Sequence, residues 1–207
     1  MDDSYRPDKD IKLFLIDKFQ EIKSSHPCHG YIPPQWPLPD VLEQLTAKSS
    51  GQFIYLSTVI RYVTSIWHKP TDRLDIVLGI RPPQRDLPFA ELDTLYTHIL
   101  AGVEDIERVL DILSVIFFCN NPPLILTWTS PMIENFLLLE PGDVEMYIGD
   151  LNSLLNFEPD QSICVLHASL MDFFVDYSRL KKFWINCRAR HAVFACWCLQ
   201  ILQLKGK

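Results

Sequence analysis

Fifteen prolines punctuate these 207 residues, and between them apolar residues recur mostly at helical spacing. Proline removes a backbone donor and resists both helix interiors and central strands, so the chain is cut into short rods. Residues 10–22 predict a helix with Ile11, Leu15, Phe19 and Ile22 on one face, widened by Phe14 and Ile16. Asp8 or Asp10 is placed to cap its start. Residues 24–39 hold Pro27, Gly30, Pro33, Pro34, Pro37 and Pro39 and predict a connector, ordered or mobile. Asp40 is expected to cap a helix over residues 41–48, with Leu42 and Leu45 inward, stopped by Ser49-Ser50-Gly51. From Gly51 the chain re-enters helix, with Phe53, Ile54, Val59, Ile60 and Val63 apolar. Thr71 is expected to cap a fourth helix carrying Leu74, Ile76, Val77 and Leu78. Gly79 and Arg81-Pro82-Pro83 end it, and a subdomain boundary is expected there.

In the second half, Pro88 suits the first turn of a fifth helix whose stripe is Phe89, Leu92, Leu95, Tyr96, Ile99, Leu100 and Val103. A sixth covers residues 104–119 and is closed by Asn120-Asn121-Pro122-Pro123. Ser130-Pro131 opens a seventh that runs to Leu138. Asp143 opens an eighth, with Val144, Tyr147, Ile148, Leu151, Leu154 and Leu155 inward. Then the pattern changes. Asn156-Phe157-Glu158 and Ile163-Cys164-Val165-Leu166 flank Pro159-Asp160-Gln161-Ser162, which predicts a β-hairpin. Residues 168–175 and 183–204 return to helix. Three helices followed by a hairpin is the order of a winged helix. The expected fold is therefore mainly α: a small helical bundle followed by a winged-helix-like domain with one short hairpin. The expected domains are residues 1–83, with the Pro-rich connector at 24–39, then 84–180, then 181–207 as the start of a further helical segment.

Composition narrows the class. A hydrophobic fraction of 48%, with twelve Phe, five Trp and seven Tyr, supplies a packed core and argues against disorder. No apolar run has the length to span a bilayer, and the first six residues carry acids and no apolar signal segment. A soluble, cytoplasmic protein with no membrane partner is expected. Six scattered cysteines form no CxxC, so a disulfide framework is not expected. Cys119 and Cys164 lie in apolar runs and read as small core residues. His26, Cys28 and His29 cluster, but no second ligand pair has zinc spacing, and a polar loop beside Pro27 accounts for them without a metal.

The charge map says more than the net charge of −7. Between Arg108 and Arg179 there is no Lys or Arg, while ten Asp and Glu residues fall in that stretch. Such a span repels a phosphate backbone, so a nucleic-acid partner is not expected. The seven glycines build neither GxxxxGK[ST] nor GxGxxG, and a phosphate cradle needs small residues where backbone N–H groups close on the anion. GxSxG and HExxH are missing as well. An independent enzyme is not expected.

Five segments in order resemble the region after the sensor strand of fungal-type NACHT proteins. They are Asp10-Ile11-Lys12-Leu13-Phe14-Leu15, the run from Gly51 to Arg61, the run from Pro88 to Tyr96, the run from Gly142 to Leu155, and Leu166-His167-Ala168-Ser169-Leu170-Met171-Asp172-Phe173-Phe174. Together they span about residues 10–185. Such proteins are NLR-like signal-transduction ATPases of the STAND class. In them a small helical domain and a winged-helix domain fold over the nucleotide and hold the protein closed. The resemblance is to those two domains, without the Walker A and Walker B core. It implies a non-catalytic lid that binds no cofactor in isolation, ADP or ATP belonging to the parent family. Its partners would be an NTPase core, another helical domain or some other protein.

Two family positions carry over. The Gly-x-Pro turn that places a proline against adenine corresponds to Gly51-Gln52-Phe53, with Phe53 in place of the proline. The histidine after the second hairpin strand, which reaches the ADP β-phosphate, corresponds to His167. An imidazole can donate to a diphosphate oxygen and titrates near neutrality. Against these roles, His167 can instead pack at a strand–helix junction, and Phe53 can be a core residue. A free-standing helical interaction adaptor is the alternative expectation, which apolar surface on residues 183–204 would favour; the run 193–199 is expected to leave an exposed patch. A DNA-binding winged helix is a third, opposed by Asp143, Glu145 and Asp150 on its would-be recognition helix.

Overall fold

The computed structural model describes residues 7–80, 89–119, 128–180 and 183–205. Among them it has eleven α-helices and one two-stranded antiparallel hairpin, so the fold is mainly α as expected. The chain divides into two compact units, Met1–Leu95 and Tyr96–Lys207. The boundary expected after Pro83 falls on residues outside those described, as does Pro88.

The first unit holds α1 (Pro7–Ser25), α2 (Pro39–Ser49), α3 (Phe53–Val63), α4 (Pro70–Gly79) and the start of α5 (Ala90–Ala101). The expected stripe of α1 is the buried one: Ile11, Leu15, Phe19 and Ile22 are all in the core, while Ile16 is exposed. The expected caps are corrected. Asp8 and Asp10 lie inside α1, and Asp40 and Thr71 lie in the first turns of α2 and α4. The residues before α2 and α4 are Leu38 and Lys69, whose side chains make no capping bond. Pro39 and Pro70 set these starts, because the fixed φ of proline suits the first helical position and its missing N–H would have no partner there.

The Pro-rich connector is ordered against α1. The Trp36 ring meets Phe19 edge-on at 5.1 Å, and Lys23 Nζ donates to the Pro34 carbonyl at 2.6 Å. Ser50 and Gly51 turn the chain from α2 into α3 with successive left-handed φ values of 48° and 78°. α3 is the central rod, with Tyr55, Leu56, Val59, Ile60, Tyr62 and Val63 buried. Arg73 of α4 clasps it: its guanidinium lies 4.0 Å over the Tyr62 ring and donates to the Tyr62 carbonyl at 3.1 Å. Lys48 of α2 donates to the Glu91 carboxylate and to the Ile80 carbonyl, each at 2.8 Å. Burial pushes the Tyr55 phenol far up, and the nearby Glu91 charge adds to it.

The second unit contains α6 (Ile106–Cys119), α7 (Ser130–Leu137), α8 (Asp143–Ile148), β1 (Leu155–Phe157), β2 (Ile163–Val165), α9 (Ala168–Val175), α10 (Tyr177–Leu180) and α11 (Cys187–Lys205). Its core draws Ile112, Leu113, Ile116 and Phe117 from α6, Ile133 from α7, Val144 and Ile148 from α8, and Leu170, Phe173 and Phe174 from α9. The hairpin pairs Leu155 with Val165, Asn156 with Cys164 and Phe157 with Ile163. The segment before α7 extends this pairing. Thr129 bridges Ser162, and the Ile163 N–H donates to the Trp128 carbonyl at 3.1 Å.

Two expected boundaries are corrected here. The eighth helix, expected to reach Leu155, ends at Ile148, continues as a 3-10 turn over Gly149–Leu151, and gives Leu155 to the hairpin. The apolar spacing of Leu151, Leu154 and Leu155 reflects burial, which a turn and a strand satisfy as well as a helix does. The last helix, expected from residue 183, begins at Cys187. Phe183 and Ile185 are buried in the preceding link, whose Ile185 N–H donates to the Phe174 carbonyl at 3.0 Å. Asn186 Oδ1 then accepts from the Ala189 N–H at 3.2 Å, capping the helix. Cys164 is half-buried rather than a core residue, and the Cys119 side chain lies outside those described. No described helix is long and apolar enough to cross a membrane.

Candidate functional site

A concavity lies in the first unit, between α1 and α3. Phe14 of α1 meets Phe53 of α3 edge-on, with ring centroids 5.7 Å apart. Beyond the other end of both helices, His26 Nε2 lies 3.3 Å from the Ser65 carbonyl. The residue separation is 39 at both ends, so the helices run parallel and side by side. A cleft of about 510 Å³ opens along them. α1 lines it with Phe14, Lys18, Glu21, Ile22 and Ser25, and α3 with Ser57, Ile60 and Arg61. Each set keeps helical spacing, so each is one face of its helix.

Ile22 and Ile60 are buried at the cleft floor, and Ile66, 57% exposed, closes one end. Lys18 pairs with Glu21 at 2.7 Å on the rim. The Arg61 guanidinium, by contrast, has no acceptor among the described residues. His26 is fully engaged. Its Nδ1 accepts from the Cys28 N–H at 3.0 Å, which leaves Nε2–H to donate to Ser65. His29 Nδ1 donates to the His26 carbonyl at 2.9 Å. Among the described residues no group of His, Cys, Asp and Glu is arranged to hold a metal ion.

The residues expected at a nucleotide fall as follows. Gly51 supplies a left-handed turn, and a Cβ there would meet nothing within 4 Å, so backbone conformation rather than space selects glycine. Phe53 is the first residue of α3 and is 41% exposed, neither a core residue nor fully solvated. Gly51 and Phe53 thus stand together at one end of the cleft helix. His167 belongs to the second unit, at the residue before α9, and is half-buried. Its side chain makes no capping bond; its backbone carbonyl accepts from the Leu170 N–H at 3.0 Å. The following turn is anchored by Ser169 Oγ, 3.2 Å from the Tyr96 hydroxyl.

The surface around α8 in the second unit is acidic. Glu145 and Asp150 are exposed, and α8 carries no base. In the hairpin turn, hydrogen bonds from Ser162 hold the exposed Asp160 carboxyl below its ordinary range. Sequence reasoning missed the α1–α3 cleft. The signal was the pair of matched helical faces, but their register needs a contact across 39 residues. No family model, curated protein or solved structure matches this chain.

Proposed function

We propose that the chain is a non-catalytic regulatory region of a NACHT-type signalling ATPase, closing over ADP when a nucleotide-binding core is present. The observation that carries the reading is the element order. A helical bundle precedes a unit with helices, one hairpin and a further helix, and His167 stands between hairpin and helix. On this reading His167 donates a ring N–H to a β-phosphate oxygen and favours the closed state, while Phe53 lies near the base and Gly51 provides the turn that presents it. The core supplies the phosphate cradle, so the chain holds no nucleotide alone and works in the cytoplasm.

Titration calorimetry of the purified chain with Mg-ATP is expected to give no heat of binding. Transcripts read 5′ of the Met1 codon are expected to encode GxxxxGK[ST] in frame. Tight magnesium-dependent ATP binding, or an upstream in-frame stop with no such motif, would overturn the reading. In the longer protein, His167→Ala is expected to speed ADP release by about tenfold or more, the loss of one hydrogen bond to a charged group.

A second reading, a free-standing interaction adaptor, is favoured by Val193 and Leu199, which expose apolar surface on α11. Size exclusion with light scattering tests it. A monomer that binds no apolar dye would count against it.

A further inference from the structure

We infer that the α1–α3 cleft is a docking groove for an amphipathic helix of a partner protein, one that presents apolar anchors and a carboxylate. This goes beyond closure over ADP, because it needs no nucleotide, although the Phe14 end of the groove abuts Phe53. The cleft walls are two parallel helices, and their lining residues recur every third or fourth position. Ridges on a third helix have that same repeat and interdigitate with such a groove. The span from Phe14 to His26 is about 18 Å at 1.5 Å per residue, enough for about three turns of a partner helix. An extended peptide is a poorer fit. It gains affinity from main-chain bonds to a sheet edge, and the first unit has no strand among its described residues.

The chemistry of the rim specifies the rest of the partner. Half-buried Phe14 offers an apolar wall, above a floor of Ile22 and Ile60 that is already buried, so the accessible apolar surface lies at Phe14 and Ile66. Ile66 and the adjacent Trp67, 78% exposed, extend that surface at one end. Isolated exposed apolar residues are ordinary, but a Trp beside an open cleft of mixed lining and an Arg belongs to the residue set that dominates binding energy at interfaces. Lys18 and Glu21 neutralise each other. Arg61 is left with five N–H donors and no acceptor among the described residues. A carboxylate on the incoming helix completes that guanidinium in a bidentate pair. A basic helix would bring like charge to the same point.

The test uses the full chain and a fluorescent, hydrocarbon-stapled helical peptide of about twelve residues, with Leu on one face and Glu beside it. Anisotropy is expected to report a saturable micromolar complex. Arg61→Glu and Ile66→Asp, both exposed and so compatible with folding, are expected to weaken it by about tenfold or more each. A peptide with Lys for Glu is expected to bind the native chain poorly and to recover on Arg61→Glu. Tyr31→Ser, away from the cleft and 85% exposed, is expected to change nothing. No saturation up to about 1 mM peptide, or affinity indifferent to both cleft variants, would overturn the inference. So would light scattering that shows a dimer abolished by Ile66→Asp, since the occupant would then be a second copy.

Discussion

At the residue scale, Glu134 does across space what a capping side chain ordinarily does from within its own helix. It is 7% exposed on α7, and its Oε1 accepts from the Gly142 N–H at 2.7 Å and the Val144 N–H at 3.4 Å at the start of α8. Glu134→Ala would leave those donors without the acceptor and is expected to cost about 1–3 kcal/mol. Glu134→Gln keeps an acceptor and should cost less; urea midpoints of the two variants check the order. Asp111 is a different case. Burial raises its carboxyl above the ordinary 3.8, and this outweighs the lowering by Arg190, with which it forms an ion pair. The close pairing alone would argue for a lowered value, but desolvation can exceed the attraction of a partly buried pair. The folded state then holds this proton more tightly than the unfolded state. Its contribution to stability is complete below the ordinary carboxylate value and lost as pH rises through the raised one. Asp111→Asn is expected to remove that dependence. Relative to the native chain it should gain stability as pH climbs from about 3 to 6, read from denaturant midpoints across that range.

At the element scale, Lys48 ties α2 to α5 and to the chain leaving α4. Its ammonium is largely buried between the Glu91 carboxylate and the Ile80 carbonyl. Lys48→Ala would strand the Glu91 charge beside the buried Tyr55 and is expected to cost about 2 kcal/mol, read as a lower thermal midpoint. Helix identity was legible in the sequence because apolar spacing is a local signal: Ile11, Leu15, Phe19 and Ile22 are the buried face of α1. Helix starts were less legible. Asp40 and Thr71 compete as caps with Pro39 and Pro70, and the rigid proline ring decides. The end of α8 was not legible, since Leu151, Leu154 and Leu155 are buried in any of three backbone conformations.

At the scale of the whole molecule, the separation of charge predicts behaviour toward polyanions. No Lys or Arg lies between Arg108 and Arg179, so a mobility shift with duplex DNA at low salt is expected to show no retardation. That stretch was read directly from sequence, and so were Gly51, Phe53 and His167 as positions. The cleft was not, because it depends on which helices are neighbours, and α1 and α3 meet only after the chain has passed through α2.

The parallel course of α1 and α3 bears on how the first unit tolerates change. Between them the chain returns through the Pro-rich connector and the packed α2, and the closure entropy of the connector grows only with the logarithm of its length. About ten Gly and Ser residues inserted after Gly30 should therefore add under about 0.5 kcal/mol in closure entropy, beyond the loss of the Tyr31 N–H bond to the Cys28 carbonyl and the Ile32 N–H bond to the His29 carbonyl. The anchors at Phe19–Trp36 and Lys23–Pro34 would still re-form on either side of the added chain.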